Sequence, residues 1–481
     1  MKKTTLTLTL CLLACPVISS QVQAESAPAP AQPAPAQPAP AKPVQPVQPA
    51  QPVRPKVLPA GRSVAKVTTD RVSAIYASND KAVFSVSVLT DGKPVEEGIC
   101  HMKLKSDGVE AAIEKDYDLA QGNPFKIEAS LDHPGFIKCD LMGVDKISEV
   151  RARGAAGFDV EKIRQGQPEP ADFDQYWGEL LKRQAALPDA VTCEPLPDTA
   201  GKPGYKYFKL TVKTIDDGKV YGFLGIPADQ PGPFPAVVLI AGAGPGYDGP
   251  DQSFIRPDLI TLSINIHPID PSLPKDEFAK RYKELIAQKD YCLQGAPDRD
   301  KYYFRNAILG ANAAVEWLAA QPQFNKKDLF YLGASQGGGF GLILAGLNPK
   351  FSSIAVSVPA LSDHGGIAVG RVSGWPQLVK KVAGDDEALK KQTLEMSGYF
   401  DTVNFAKRVK CPAIFTVGFC DATCCPSSVY AAYNAVKSTK SIMTAPLADH
   451  PIPWWHLNGI WQWTQNSLDD KNRNYRAYFD W

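Results

Sequence analysis

The sequence predicts an α/β fold with a mainly parallel, doubly wound sheet, preceded by a small all-β sandwich. Three observations carry that prediction. From Ala236 onward, short apolar runs alternate with helix-period segments: Ala236 to Ile240, Leu259 to Ile266, a helix through Ile308, Ala311, Val315 and Leu318, then Leu329 to Leu332, Ile354 to Val358, Ala413 to Val417 and Ser441 to Ala445. Between residue 60 and about residue 155 the runs instead alternate apolar with polar, as in Val83–Val88 and Phe136–Met142, with turn signals such as Asp91-Gly92 between them. Finally, the run Leu329–Leu332 breaks into Gly333-Ala334-Ser335-Gln336-Gly337 and a helical segment follows, Phe340 to Leu347. Strand, G-x-S-x-G, helix is a sharp turn that lifts a serine hydroxyl clear of a sheet.

Taken in order, residues 1–24 read as an export signal, with Lys2 and Lys3, an apolar stretch Leu6 to Ile18, and Val22-Gln23-Ala24 as a small-residue cleavage site. Leu12-Leu13-Ala14-Cys15 offers a competing reading, a lipoprotein box with lipid on Cys15. Either one makes the mature chain secreted or periplasmic. No later stretch approaches the roughly 18 apolar residues of a membrane span. Residues 25–58 are a Pro/Ala/Gln/Val tract that cannot bury a core and favours extended polyproline II, a semi-rigid spacer. Residues 59–157 are the sandwich, expected as an accessory or docking domain, with carbohydrate binding as the other reading. Residues 158–481 are the α/β domain. It opens on a helix over Pro170–Leu181, capped at its start, with Phe173, Tyr176, Trp177, Leu180 and Leu181 on one face, and a hairpin about Asp216-Asp217-Gly218 follows.

Composition narrows the partners. A formal net charge of +1, with no basic run, gives no reason to expect nucleic acid or an acidic membrane surface. Loss of the leader removes Cys11 and Cys15 from the 10 cysteines and leaves Cys100, Cys139, Cys193, Cys292, Cys411, Cys420, Cys424 and Cys425. An oxidising compartment permits pairing, with Cys100–Cys139 and the vicinal Cys424-Cys425 as candidates. No C-x-x-C pair or histidine array completes a zinc pattern, so no metal is expected. Gly244 to Gly249 forms a literal G-x-G-x-x-G with Asp270 about twenty residues on, but Pro250 and Pro257 leave no helix to seat a pyrophosphate, and no cofactor is expected.

A serine hydroxyl needs a base and an acid that orients it. In the α/β-hydrolase order these follow the serine, each just past a later strand. Asp421 follows Ala413–Val417, and His450 follows Ser441–Ala445. The candidate catalytic set is therefore Ser335, Asp421 and His450, with His456 as a rival base. For the oxyanion, one donor is the backbone N–H of Gln336. The second comes from the glycine-rich loop Ala241–Gly249, with Ala243 as the donor.

From about Pro170 to its C-terminus the chain resembles the acetyl xylan esterase / cephalosporin C deacetylase family of carbohydrate esterases. The matching pieces are Asp172-Phe-Asp-Gln-Tyr-Trp177, Tyr302-Tyr-Phe-Arg305, Gly333-Ala-Ser-Gln-Gly-Gly338, Val358-Pro359 and the run from Asp421 through Cys424-Cys-Pro-Ser-Ser428 to Asn434. The resemblance implies a serine esterase that removes acetyl groups from sugars, with Ser335 as nucleophile, Asp421 as acid, His450 as base and no cofactor. Family members often form rings, so a homo-oligomer is a further expectation. Three departures cluster at the mouth of the site. Ala241-Gly242-Ala243 stands for the family's His-Gly-Tyr, Asp449-His450-Pro451 for Gly-His-Glu, and Ile266-His-Pro-Ile-Asp270 for Arg-Gly-Gln. They point to an altered substrate. Two alternatives stay open: another hydrolase of the same fold, peptidase or general carboxylesterase, and a non-catalytic glycan-binding protein using the sandwich and Trp454, Trp455, Trp461 and Trp463.

Overall fold

A computed structural model describes residues 61–109, 111–197, 200–251, 256–452 and 464. The leader and spacer, His456 and the four C-terminal tryptophans named above lie outside the described residues.

The N-terminal part holds β1 (Ser63–Thr69), β2 (Ile75–Tyr76), β3 (Ala82–Thr90), β4 (Lys93–Pro94), β5 (Ile99–Ser106), β6 (Ala111–Asp118), β7 (Phe125–Ala129), β8 (Gly135–Val144) and β9 (Arg151–Phe158). One sheet runs β1-β3-β4 with β7 also on β3, and the other runs β2-β9-β8-β5-β6. Period-2 alternation turns Phe84, Val86 and Val88 of β3 toward Met102, Leu104, Cys139 and Leu141, which is the sandwich core. All eight cysteines among the described residues are free. Register forbids the Cys100–Cys139 bridge: Cys100 faces Gly143 and Cys139 faces Leu104, four positions along the same ladder. At about 3.3 Å per residue that offset is roughly 13 Å, twice what a disulfide spans. The vicinal pair Cys424-Cys425 is also unbridged.

The second part begins with α1 (Phe173–Ala185) and β10 (Val191–Pro195), then the hairpin β11 (Tyr205–Lys213) and β12 (Lys219–Pro227), then β13 (Phe234–Ile240) and β14 (Ile260–Asn265). There follow α2 (Lys275–Ile286), α3 (Tyr303–Ala320), β15 (Phe324–Ala334), α4 (Gln336–Leu347), β16 (Ser353–Ser357), α5 (Leu378–Ala383), α6 (Glu387–Ser397), α7 (Thr402–Ala406), β17 (Ala413–Gly418), α8 (Pro426–Ala435) and β18 (Lys440–Ala445). The 9-stranded sheet has the order β10-β11-β12-β14-β13-β15-β16-β17-β18. Pairing is antiparallel up to β12–β14 and parallel from there to β18, so the mainly parallel sheet expected from the sequence is present. At the hairpin tip Asp216 and Asp217 adopt φ 60° and 58°, the left-handed pair that a tight antiparallel turn requires.

Helix α1 buries Phe173, Tyr176, Trp177 and Leu180, as its spacing demands. Its N-terminus differs from expectation. The Asp172 side chain does not cap the helix but accepts from the Tyr399 hydroxyl and from Arg299 at 3.2 Å. The family-like motifs at Asp172–Trp177 and Tyr302–Arg305 are thus largely scaffold: Trp177 Nε1 donates to Tyr399 O (2.8 Å), and Arg305 donates to Asp216 (2.7 Å). Among the described residues, no helix is long and apolar enough to cross a membrane. Sandwich and sheet belong to one compact unit.

Candidate active site

The turn at Ser335 follows from packing of β15 against α4. Ser335 sits at φ 56°, ψ −121°, a conformation that costs a residue with a Cβ about 1–3 kcal/mol and persists only where its surroundings impose it. Here main chain imposes it. Ser335 N donates to Ser357 O at 2.9 Å, while its carbonyl accepts from Gly339 N (3.0 Å) and Ala360 N (2.9 Å). The flanking glycines answer to close approach. A Cβ on Gly337 would stand 2.0 Å from Ile240 O, and one on Gly333 would stand 2.7 Å from the Gly337 carbonyl.

Three side chains from three loops converge there. Asp421, three residues past β17, is fully buried; its Oδ1 accepts from Thr423 N (2.7 Å) and Cys424 N (2.9 Å). Its Oδ2 lies 2.8 Å from His450 Nδ1, and His450 Nε2 lies 3.1 Å from Ser335 Oγ. A carboxylate only accepts, so Nδ1 carries the proton and Nε2 turns a lone pair to the serine. The hydrogen bond to Asp421 raises the histidine's pKa above its ordinary 6.5, against burial, which lowers it. The structure therefore brings Ser335, Asp421 and His450 together in hydrogen-bonding order, and such a chain can draw a proton off a serine. Cys424 joins this cluster: one ligand-type atom each of Asp421, Cys424 and His450 lie within 4.8 Å of one another. The carboxylate and imidazole atoms are taken up with each other, and burial pushes the Cys424 thiol well above its usual range, so it stays protonated.

Gln336 N is the first N–H of α4 and has no carbonyl one turn back in its own helix, which leaves it able to receive an anion. Its side chain is turned inward, with Tyr291 Oη donating to Oε1 at 2.6 Å. In the loop after β13, Gly242 lies against the serine: a Cβ built there would be 3.7 Å from Ser335 Cβ. Ala243 is the next residue and is exposed.

Two residues at the end of β14 pin that loop, and the sequence did not reveal their role. Asn265 clasps Tyr247, accepting from its N–H (2.7 Å) and donating to its carbonyl (2.8 Å). His267, 2% exposed, donates from Nε2 to Gly244 O (2.7 Å) and accepts at Nδ1 from the Tyr303 hydroxyl (2.7 Å). Burial pushes its pKa down to about 4, so the ring is neutral at ordinary pH. The signal lay in the departure at Ile266–Asp270, which marked the segment without saying what His267 binds.

The acetyl xylan esterase (AXE1) family profile matches residues 158–467. Acetyl esterase Axe7A of Xylanibacter ruminicola is 26% identical over 379 residues, 78% of this chain and 84% of that protein. Among solved structures, acetyl xylan esterase from Paenibacillus sp. R4 superposes with TM-score 0.53 at 18% identity, covering 64% of this chain and 98% of that one. Acetyl xylan esterase 1 from Thermoanaerobacterium sp. JW/SL YS485 gives TM-score 0.53 at 20% identity, covering 64% and 97%. At such identities these two show the fold, that of α/β-hydrolase-type esterases, while the profile spans well over half of the chain. The chain belongs to the acetyl xylan esterase family, and so to the carboxylic ester hydrolases.

Proposed function

We propose that the protein is an exported serine esterase that removes O-acetyl groups from carbohydrates, acetylated xylan or xylo-oligosaccharides, through an acyl-enzyme on Ser335. The observation that carries this reading is the continuous contact from Asp421 Oδ2 to His450 Nδ1 (2.8 Å) and from His450 Nε2 to Ser335 Oγ (3.1 Å). Ser335 Oγ attacks the acetyl carbonyl carbon and its proton passes to His450 Nε2, while the carbonyl electron pair moves onto oxygen. The N–H groups of Gln336 and Ala243 receive that oxyanion. Asp421 stabilises the imidazolium and holds its tautomer. Collapse breaks the bond to the sugar oxygen, which takes the proton from His450. Water, deprotonated by His450, then attacks the acetyl-serine; the bond to Ser335 Oγ breaks, acetate leaves, and Oγ takes the proton back from His450. Family membership and the acetyl xylan and acetyl ester relatives support the substrate class; the sequence of residues 1–24 supports export.

The test is acetate release from acetylated xylan and acetylated xylo-oligosaccharides by wild type and Ser335→Ala. Loss of the nucleophile should cost on the order of 10³-fold or more. Equal release by both would overturn the mechanism. Phosphonate labelling of Ser335 without acetate release would keep the triad and refute the substrate.

A further inference from the structure

The sandwich meets the α/β part at the two loops that carry Asp421 and His450. Lys138 of β8 is 8% exposed, and its ammonium donates to the main-chain carbonyl of Asp421. Arg153 of β9 donates to Asp449 Oδ2, next to His450, while its Nε lies 3.0 Å from Asp140 Oδ1. Asp449 Oδ1 in turn accepts from His450 N (2.9 Å) and Ala422 N (3.4 Å), so one carboxylate ties both loops together. Register explains how one sheet face does this. Lys138 pairs with Ala155 and Asp140 with Arg153, so Lys138, Asp140 and Arg153 share a face opposite to Ile137, Cys139 and Leu141 in the sandwich core.

Docking alone would not need these charges. Apolar contact is already present, with the Phe136 ring 5.1 Å from Phe419 and 5.7 Å from Tyr430. A buried ammonium is costly to desolvate, and an apolar side chain of like volume commonly serves adhesion as well or better. Both cations reach residues flanking or belonging to the candidate triad.

We infer that the sandwich positions the catalytic machinery: Lys138 fixes the Asp421 loop, and Arg153, through Asp449, fixes the His450 loop. This rests on reading Ser335, His450 and Asp421 as a catalytic triad. Both positioning residues lie outside the segment that the family profile matches, 158–467. Among the described residues, Asp421 and Asp449 act on His450 directly; Lys138, Arg153, Asp140 and, through Asp140, Lys105 (3.5 Å) lie along the same contacts, with the thiols of Cys420, Cys424 and Cys425, which burial raises. Removing either cation leaves the carboxylates less offset and favours the imidazolium, so the acid limb of kcat/KM moves to higher pH.

The experiment compares wild type, Lys138→Met, Arg153→Gln and Arg153→Lys on 4-nitrophenyl acetate across pH, with thermal midpoints alongside. Lys138→Met is expected to lose on the order of tenfold or more in kcat, since small misplacements of reacting groups are expensive. Its KM should stay within about twofold, and its acid limb should rise. Arg153→Gln should show the same signs more weakly, because Arg153 is 51% exposed and solvent screens it, and Arg153→Lys should recover most of the loss. Lower thermal midpoints with wild-type kcat and acid limb would reduce the sandwich to a docked structural part and overturn the inference. If Lys138→Met does not fold, an unchanged Arg153→Gln overturns it alone. Wild type inert to both the acetate ester and an organophosphonate would defeat the triad reading, and this inference with it.

Discussion

At Ser335 main chain is gripped by main chain, whereas the Asp421 and His450 loops, joined by a main-chain bond from Cys420 N to Ala448 O (3.0 Å), are held in addition by side chains from distant strands. The serine turn is wedged between Ser357 O, Gly339 N and Ala360 N, with Gly337 pressed on Ile240 O. The Asp421 and His450 loops add to their main-chain bonds the side chains of Lys138, Arg153 and Asp449. Steric closeness leaves no freedom in residue type, so it writes glycine into the sequence. A long cation reaching a carbonyl constrains only one distant position, and nothing local announces it.

Substitutions can break this contrast, and the largest expected effect is at the acid. In Asp421→Asn the amide can present N–H to Nδ1 and destroy the tautomer that aims Nε2 at the serine. We expect a loss of kcat on 4-nitrophenyl acetate on the order of 10²-fold or more; a change below about threefold would detach Asp421 from the chemistry. Next comes the main-chain grip itself. Gly337→Ala sets a Cβ 2.0 Å from a backbone oxygen that cannot turn aside, so the penalty should reach or exceed the roughly 1–3 kcal/mol of ordinary overpacking. Urea unfolding measures it, and a variant as stable as wild type would mean that the turn is looser than its contacts say.

His267→Phe keeps the ring volume but drops the bond to Gly244 O. Since loose oxyanion donors cost catalysis rather than affinity, kcat should fall about tenfold with KM little changed. His267 titrates only near pH 4, so the acid limb above pH 5 should not move, which separates this effect from that of Lys138. Smallest is the wild-type profile. Because Asp421 raises the His450 pKa, and the base must be neutral to act, kcat/KM should fall as pH drops through a midpoint above 6.5. A midpoint at or below 6.5 would mean that burial outweighs the carboxylate.

Much of the fold was legible. The strands of the parallel sheet declared themselves because strands buried on both faces read as continuous apolar runs, such as Ala413–Val417 and Ile354–Val358. β9 did not, because its Arg-Ala-Arg-Gly-Ala-Ala-Gly-Phe lacks the branched residues that mark strands. Packing explains the composition: a Cβ on Gly154 would lie 2.7 Å from Val67 Cγ1, so only a small residue lets β1 close over β9. Helix α2, with Phe278 its buried side chain, carries too narrow an apolar stripe to stand out. The Cys100–Cys139 bridge failed for the reason that governs Lys138: sequence spacing says nothing of register.

The sequence by itself determined the strand–turn–helix at Ser335, the order Ser335, Asp421, His450 along the sheet, and the family. These depend on local sterics and on period, which a chain expresses residue by residue. Tertiary structure alone decided that His267 and Asn265 pin the glycine-rich loop after β13, that Tyr291 turns the Gln336 side chain inward, and that Lys138 and Arg153 reach across from the sandwich. Each is a hydrogen bond between residues that only the packing of separate elements brings within 3 Å or so of one another, and one bond at long separation leaves no period to read.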